Sequence, residues 1–241
     1  MTVIVAGNVN KYNFLFADGI VEINLKYEKE NKIIFIKEKK LFISGMGLGI
    51  LVKSLYNFGL SCGNSEFTEE NFKSESSMKD FLNELEKWSK ASKNNFPDVP
   101  YSKLFIGGEN DIFYWNIFLD VKSQNFELLS SVPIYISKND ILLFYTNHSP
   151  QKLQLTNIDD HKMIVSDLVN KIDVYHKRKK DGNKKFIGQS IGNFLNYTVM
   201  ENNSYLGYDP VEYYSYAFID KTNGKEIYDS NDPVIIKQKI L

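Results

Sequence analysis

Thr2 is the residue whose type and place could do chemistry. A threonine hydroxyl alone is a weak nucleophile; with its own α-amine as base it becomes a workable one. Met1 precedes Thr2. An initiator methionine before so small a residue is ordinarily removed, exposing that amine, whereas a retained Met1 would block it. The amine's ordinary pKa of about 7.7–8.0 needs only a small depression to act at neutral pH. A nearby lysine ammonium supplies the depression, and a carboxylate is needed to hold the lysine. The chain offers a candidate for each part: Asp18, Lys32, and the glycines Gly45 and Gly47, whose backbone N–H groups could face an oxyanion. Such a set would cleave amide or peptide bonds through an acyl intermediate on Thr2.

The elements that must position these residues are read from periodicity. Thr2–Ala6 and Asn13–Asp18 are short apolar runs parted by Gly7-Asn8 and Asn10-Lys11, which predicts a hairpin that returns Asp18 beside the first strand. Val21–Leu25 alternates as a strand, and Lys32–Ile36 with Leu41–Ser44 predicts a second hairpin. The period then becomes helical: Leu48, Leu51, Val52, Leu55 and Phe58 share a face, with Gly59 at the C-cap place. A second helix is predicted from Ser77 to Ser92, buried through Met78, Phe81, Leu82, Leu85 and Trp88, between loops at 64–76 and 93–100. Strands follow at Lys103–Ile106, Phe113–Val121, Val132–Ile136 and Ile141–Thr146. A third helix is predicted over Asp160–Lys179, with Asn157 or Asp159 as its cap. Phe194–Met200 and Tyr213–Ile219 complete the strands. Strands in antiparallel pairs with segregated helices predict a layered α+β arrangement and not alternating βαβ units.

Gly45-Met46-Gly47-Leu48-Gly49 invites a dinucleotide-binding reading and fails it. The third glycine position holds Ile50 or Val52, and the preceding strands are hairpin-linked. The glycines are better read as letting backbone pass closely or leaving amides free at a helix start.

Thr2-Val3-Ile4-Val5-Ala6, Phe16-Ala17-Asp18-Gly19, Asn31-Lys32-Ile33 and Leu41–Gly47 together resemble the start of a proteasome β-type subunit, an N-terminal-nucleophile hydrolase. The likeness covers residues 1–50 best, continues faintly to 150 and fades beyond. It implies a four-layer αββα sandwich with mostly antiparallel sheets, formed by residues 1–241 as one domain with an extra β segment over about 200–241. It implies Thr2 as nucleophile, Asp18 and Lys32 as the groups that tune its amine, and Gly47 as an oxyanion amide. Ser149 and Ser190 fall where the family has supporting serines, without its flanking glycines at Ser149 and without its aspartate before Ser190. Those departures keep open an alternative, a non-catalytic relative that serves as a binding or assembly subunit. A third reading is an interaction protein of unrelated fold. The resemblance also implies a peptide or amide substrate and self-association into a homo-oligomer.

Composition narrows the rest. With 241 residues, 43 % hydrophobic and 24 % charged, the chain can bury a core without staples. Its 29 Lys and Arg against 30 Asp and Glu give a net charge of -1 and no case for nucleic acid or an anionic membrane as partner. Cys62 is the single cysteine, and the 3 histidines are not paired at i, i+4, so neither a disulfide framework nor a metal or other cofactor is expected. The N-terminal residues lack a signal-peptide pattern and no apolar run reaches membrane-spanning length, so the expected location is cytoplasmic. The basic run His176–Lys180 reads as the solvated last turn of a helix, and the tyrosines between Tyr205 and Tyr216 as strand residues packed on a core.

Overall fold

The computed structural model describes residues 3–18, 20–23, 26–29, 32–36, 39–47, 68–92, 101–120, 122–123, 125–145, 149–168, 171 and 214–228. The predicted helix at 48–58, Cys62, the strand at 194–200, the basic run at 176–180 and Ser190 lie outside these residues.

Two antiparallel sheets dominate. β1 (Val3–Asn8) and β2 (Tyr12–Asp18) form the predicted hairpin, with Ile4 opposite Ala17 and Asn8 opposite Asn13. Gly7 belongs to the strand and not to the turn, because the Phe14 ring lies across it: a Cβ on Gly7 would stand 2.1 Å from Phe14 Cε1. β11 (Asp140–Tyr145) pairs with the other edge of β1, placing Tyr145 opposite Val3, and β12 (Gln151–Lys152) extends it. β13 (Tyr214–Asp220) pairs with β2, and β14 (Lys225–Tyr228) pairs with β13, so the first sheet runs β12-β11-β1-β2-β13-β14. The second runs β10-β8-β7-β6-β5, built from β5 (Ile33–Ile36), β6 (Leu41–Met46), β7 (Tyr101–Gly107), β8 (Ile112–Asp120) and β10 (Ile134–Tyr135), with β9 (Asn125–Leu128) also on β8. A separate hairpin joins β3 (Ile20–Ile23) to β4 (Lys26–Lys29).

Strand alternation sorts the side chains. Ile4, Ala6, Leu15, Ala17, Phe144 and Ala217 from the first sheet meet Ile33, Phe42, Met46, Phe105, Ile112 and Tyr114 from the second in one buried cluster. Phe144 anchors it, edge-on to Phe105 at 4.8 Å and to Tyr114 at 5.1 Å. Each fully buried side chain of this size contributes roughly 1.5–3 kcal/mol. The two antiparallel sheets thus share one core.

The alternate residues of each sheet face helices. Phe72 of α1 (Glu69–Lys73) and Met78, Phe81, Leu82 and Leu85 of α2 (Glu75–Ser92) pack with Leu41, Ile43, Leu104, Ile106, Trp115 and Ile117. The loop predicted at 64–76 is thus corrected in its described part. Thr68 caps α1 by accepting from Asn71 N at 3.1 Å, and Glu69 and Glu70 fill the first turn, where the helix dipole favours acids. Glu69 then clamps the β7–β8 turn, accepting from Asp111 N at 2.9 Å and Asn110 N at 3.2 Å. The Lys73 ammonium beside Glu69, Glu70 and Asp111 has its pKa raised by hydrogen bonds to those carboxylates, against the opposing effect of its partial burial. On the first sheet, Ile164, Val165 and Leu168 of helix α3, described over 161–168 and at 171, cover Val3, Val5, Phe14, Phe16, Leu143 and Phe218. Its cap is Asp160, whose carboxylate accepts from Lys162 N at 2.8 Å and Met163 N at 3.2 Å; Asn157 instead accepts from Asp159 N at 3.0 Å in the preceding turn.

Candidate functional site

The relative direction of the two sheets is set by buried amides. Asn13, at the turn end of the β1–β2 hairpin, donates to Gly108 O at 2.9 Å, and Asn8 donates to Ile136 O at 3.0 Å. Gly108 follows the last residue of β7 and Ile136 follows β10. The end of β7 therefore lies against the turn end of β1–β2. The strands of the second sheet that begin or finish at the far end, namely the start of β5, the end of β6, the start of β7 and the end of β8, face the start of β1 and the end of β2. Both sheets thus deliver strand ends to one rim of the inter-sheet space.

The sequence candidates fall as follows. Thr2 lies outside the described residues; its neighbour Val3 is 1 % exposed and paired to Tyr145. Asp18 closes β2, its backbone opposite Tyr214, next to the start of β1; its side chain is outside the description. Lys32 immediately precedes β5 and is partly buried, and its carbonyl accepts from Ser44 Oγ at 2.8 Å. Gly47 directly follows β6 with φ +94, a backbone conformation that L side chains rarely adopt. A Cβ there would also stand 2.7 Å from Tyr101 O and 2.7 Å from Ser102 Oγ, so glycine is required twice over. Ser149 is exposed, in the connection between β11 and β12 that leaves the sheet beside Val3. In the described part of the glycine run, Gly45 and Met46 are strand residues paired antiparallel to Leu104 and Lys103.

The rim holds further groups that reading along the chain did not single out. Lys103 and Asn116 are cross-strand partners on β7 and β8, and Lys103 Nζ donates to Asn116 Oδ1 at 2.6 Å. Lys103 has the parity of Phe105 and Asn116 that of Tyr114, so both point between the sheets. Lys103 Nζ lies 5.3 Å from the Tyr114 ring centroid, a cation–π distance. Burial lowers the Lys103 pKa and raises that of Tyr114. Among the described residues Lys103 has no carboxylate partner. Tyr101, 60 % exposed, and Phe118 share the same side and pack at 5.4 Å. The available signal was a lysine and an asparagine interrupting two apolar strand runs.

Elsewhere, Asn13 Oδ1 is buried without a partner at the opposite end. Among the described residues no three His, Cys, Asp or Glu side chains gather as a metal site would need, and no helix is long and apolar enough to cross a membrane.

The fold and rim together define a protein rich in antiparallel sheet with few described helices. No family model matches the chain, and no curated protein matches it. Solved structures similar to it include "Anbu (ancestral beta-subunit) from Yersinia bercovieri", at 10 % identity and TM-score 0.43 over 95 % of this chain and 88 % of that one. An Anbu (Gly-1) mutant from Hyphomicrobium sp. strain MC1 gives 8 % identity and TM-score 0.39 over 79 % and 100 % of the two chains. Thiobacillus denitrificans BPH gives 13 % identity and TM-score 0.36 over 61 % and 72 %. At such scores and identities these likenesses carry no residue role or activity across to this chain.

Proposed function

We propose that the chain is a threonine-type N-terminal-nucleophile hydrolase of amide or peptide bonds, built as a four-layer αββα sandwich. The observation that carries this reading is the strand register, which supports a common rim for the start of β1, the end of β2, the start of β5 and Gly47 after β6. In this reading Met1 is removed. The Thr2 α-amine takes the hydroxyl proton as Thr2 Oγ attacks the substrate carbonyl. The Lys32 ammonium lowers the amine's pKa, and the Asp18 carboxylate holds Lys32. The Gly47 amide donates to the oxyanion, and Ser149 and Ser190 support the amine. Collapse of the tetrahedral intermediate expels the leaving amine, which receives the proton from the Thr2 amine. Water activated by the same amine then cleaves the threonine ester, releasing the acid and restoring Thr2. Assembly of copies into a homo-oligomer in the cytoplasm belongs to the same proposal.

The test is intact mass followed by labelling with a peptide α′,β′-epoxyketone, an electrophile that reacts with a threonine hydroxyl and its free amine together. Loss of one methionine and a covalent adduct at Thr2, abolished in Thr2→Ala, are expected. A processed chain that takes no label and hydrolyses no model amide would sink the proposal.

The exposure of Ser149, just before Pro150, favours a second reading, that of a non-catalytic subunit which keeps the frame for binding or assembly. Retained Met1 together with self-association would support it.

A further inference from the structure

Lys103 is costly where it stands. A half-buried ammonium loses hydration, and the acceptor it has among the described residues, Asn116 Oδ1 at 2.6 Å, is neutral. Burial lowers its pKa. Other lysines of the chain illustrate the usual remedy: Lys73 contacts three carboxylates, and Lys40, Lys79, Lys87 and Lys90 each contact a carboxylate. Lys103 has none among the described residues, although it faces the space between the sheets and not open solvent.

Its surroundings form a graded surface. Beneath it lie Asn116 and the face of Tyr114, whose ring contacts Phe144, the strand neighbour of Ile4. Toward the rim stand Phe118 and the exposed Tyr101. Met46 is the cross-strand partner of Lys103, so the Gly47 amide is one residue away along β6. A ligand lying along this rim would meet an apolar aromatic edge and then a cation held by an amide, a combination that fits an acyl chain or peptide bearing a carboxylate.

We propose that Lys103 and Asn116, with the Tyr101–Phe118 pair at the rim, form a subsite for a carboxylate of the bound peptide, so that the protein selects acidic peptides or free carboxyl ends. This rests on the proposed hydrolase reading only for the identity of the ligand as a peptide; the subsite itself can be tested without turnover. The ammonium pairs with the carboxylate, which offsets the desolvation of both. Asn116 holds the amine toward the ligand, and the aromatic pair covers the neighbouring side chain.

The experiment measures binding of three acetylated peptides by calorimetry to the full chain and to its Thr2→Ala form: acetyl-Phe-Glu-amide, acetyl-Phe-Gln-amide and acetyl-Phe-Ala with a free carboxylate. A charge-assisted contact predicts that one or both carboxylate peptides bind about tenfold or more tightly than the glutamine peptide. Which of the two gains the advantage separates a side-chain carboxylate from a terminal one. Lys103→Met and Lys103→Gln are expected to erase the preference while leaving the glutamine peptide within about twofold, and Lys103→Arg to keep part of it. Equal binding of all three peptides to the parent chain, or a preference that survives both neutral substitutions, overturns the subsite. Because Thr2→Ala has no nucleophile, a carboxylate preference without labelling would leave the subsite standing and the hydrolase reading fallen. Labelling without a preference would do the reverse.

Discussion

Gly47→Ala separates the two reasons for a glycine at the candidate oxyanion position. The backbone there has φ +94, and holding an alanine in the left-handed region costs roughly 1–2 kcal/mol. The reduced freedom of the unfolded chain returns about 0.4–1 kcal/mol. What remains is the methyl group, which would lie 2.7 Å from Tyr101 O, 2.7 Å from Ser102 Oγ and 3.0 Å from Ser102 Cα. Two of these atoms belong to the backbone of β7, held by its ladders to β6 and β8, and cannot swing aside. Forcing them apart adds about 1–3 kcal/mol. The net loss is therefore about 1–5 kcal/mol. Gly224 is the control. Its φ is +62, but an added Cβ would meet Glu109 Oε1 and Lys40 Nζ, the ends of two flexible and partly exposed side chains. Gly224→Ala should cost only about 1 kcal/mol or less. Urea unfolding at 25 °C, read as a change of midpoint at constant slope, measures both. If Gly47→Ala costs no more than Gly224→Ala, the β7 backbone does not press on Gly47 and the placement of that amide against β7 is wrong.

Trp115 is fully buried and its Nε1 donates to Phe72 O at 2.8 Å, satisfying a carbonyl at the end of α1. Trp115→Phe should cost about 2–4 kcal/mol in thermal or urea unfolding, through the lost Nε1 hydrogen bond and the lost volume. His161 packs against Tyr12 and Phe218, and burial lowers its pKa from 6.5, over the opposing attraction of Asp160. The unfolded chain therefore binds the proton first: the stability His161 contributes is present above about pH 6.5 and falls as pH drops toward its folded value. His161→Phe should flatten the stability curve below about pH 6.5, and an unchanged slope would refute the assignment. Burial lowers the Lys103 pKa in the same sense, so the desolvation of its ammonium weighs against folding wherever the group is charged. Lys103→Met should raise the unfolding free energy by ~0.5–1 kcal/mol, and a loss of stability would show that the amine is held by more than Asn116.

The strands that were legible in the chain are those that lie in the interior. Val3–Ala6, Leu104–Ile106 and Phe113–Trp115 are covered on both faces and so read as continuous apolar runs. Edge strands gave weaker signals. β14 carries Lys225 and Glu226 and, among the described strands, pairs with β13 alone, and β9 opens with Asn125; neither contrasts with a loop in composition. The 69–73 helix was missed because it contributes a single buried side chain, Phe72, too little for a period, although Thr68 followed by two acids is a start signal. Asp160 was overlooked as a cap in favour of Asn157 and Asp159, since three adjacent cap-forming types cannot be ranked without the helix's first N–H groups in view.

The candidate site divides in the same way. Thr2, Asp18, Lys32 and Gly47 could be nominated because each role asks for a residue type at a strand end, and strand ends are visible in sequence. Lys103 could not, because nothing in Ser102-Lys103-Leu104-Phe105 says which face of β7 turns toward the other sheet. That parity is decided only when Phe105 meets Phe144 across the core at 4.8 Å. Once it is decided, the lysine moves from an ordinary strand position to a desolvated cation at the rim where β1 begins. A half-buried cation that lacks a compensating charge among the described residues is, in this proposal, met by a charge that arrives from outside. The stability and binding measurements on Lys103→Met test that explanation jointly: a more stable variant that has lost carboxylate preference supports it. A more stable variant that binds as before makes Lys103 a tolerated defect of the sheet.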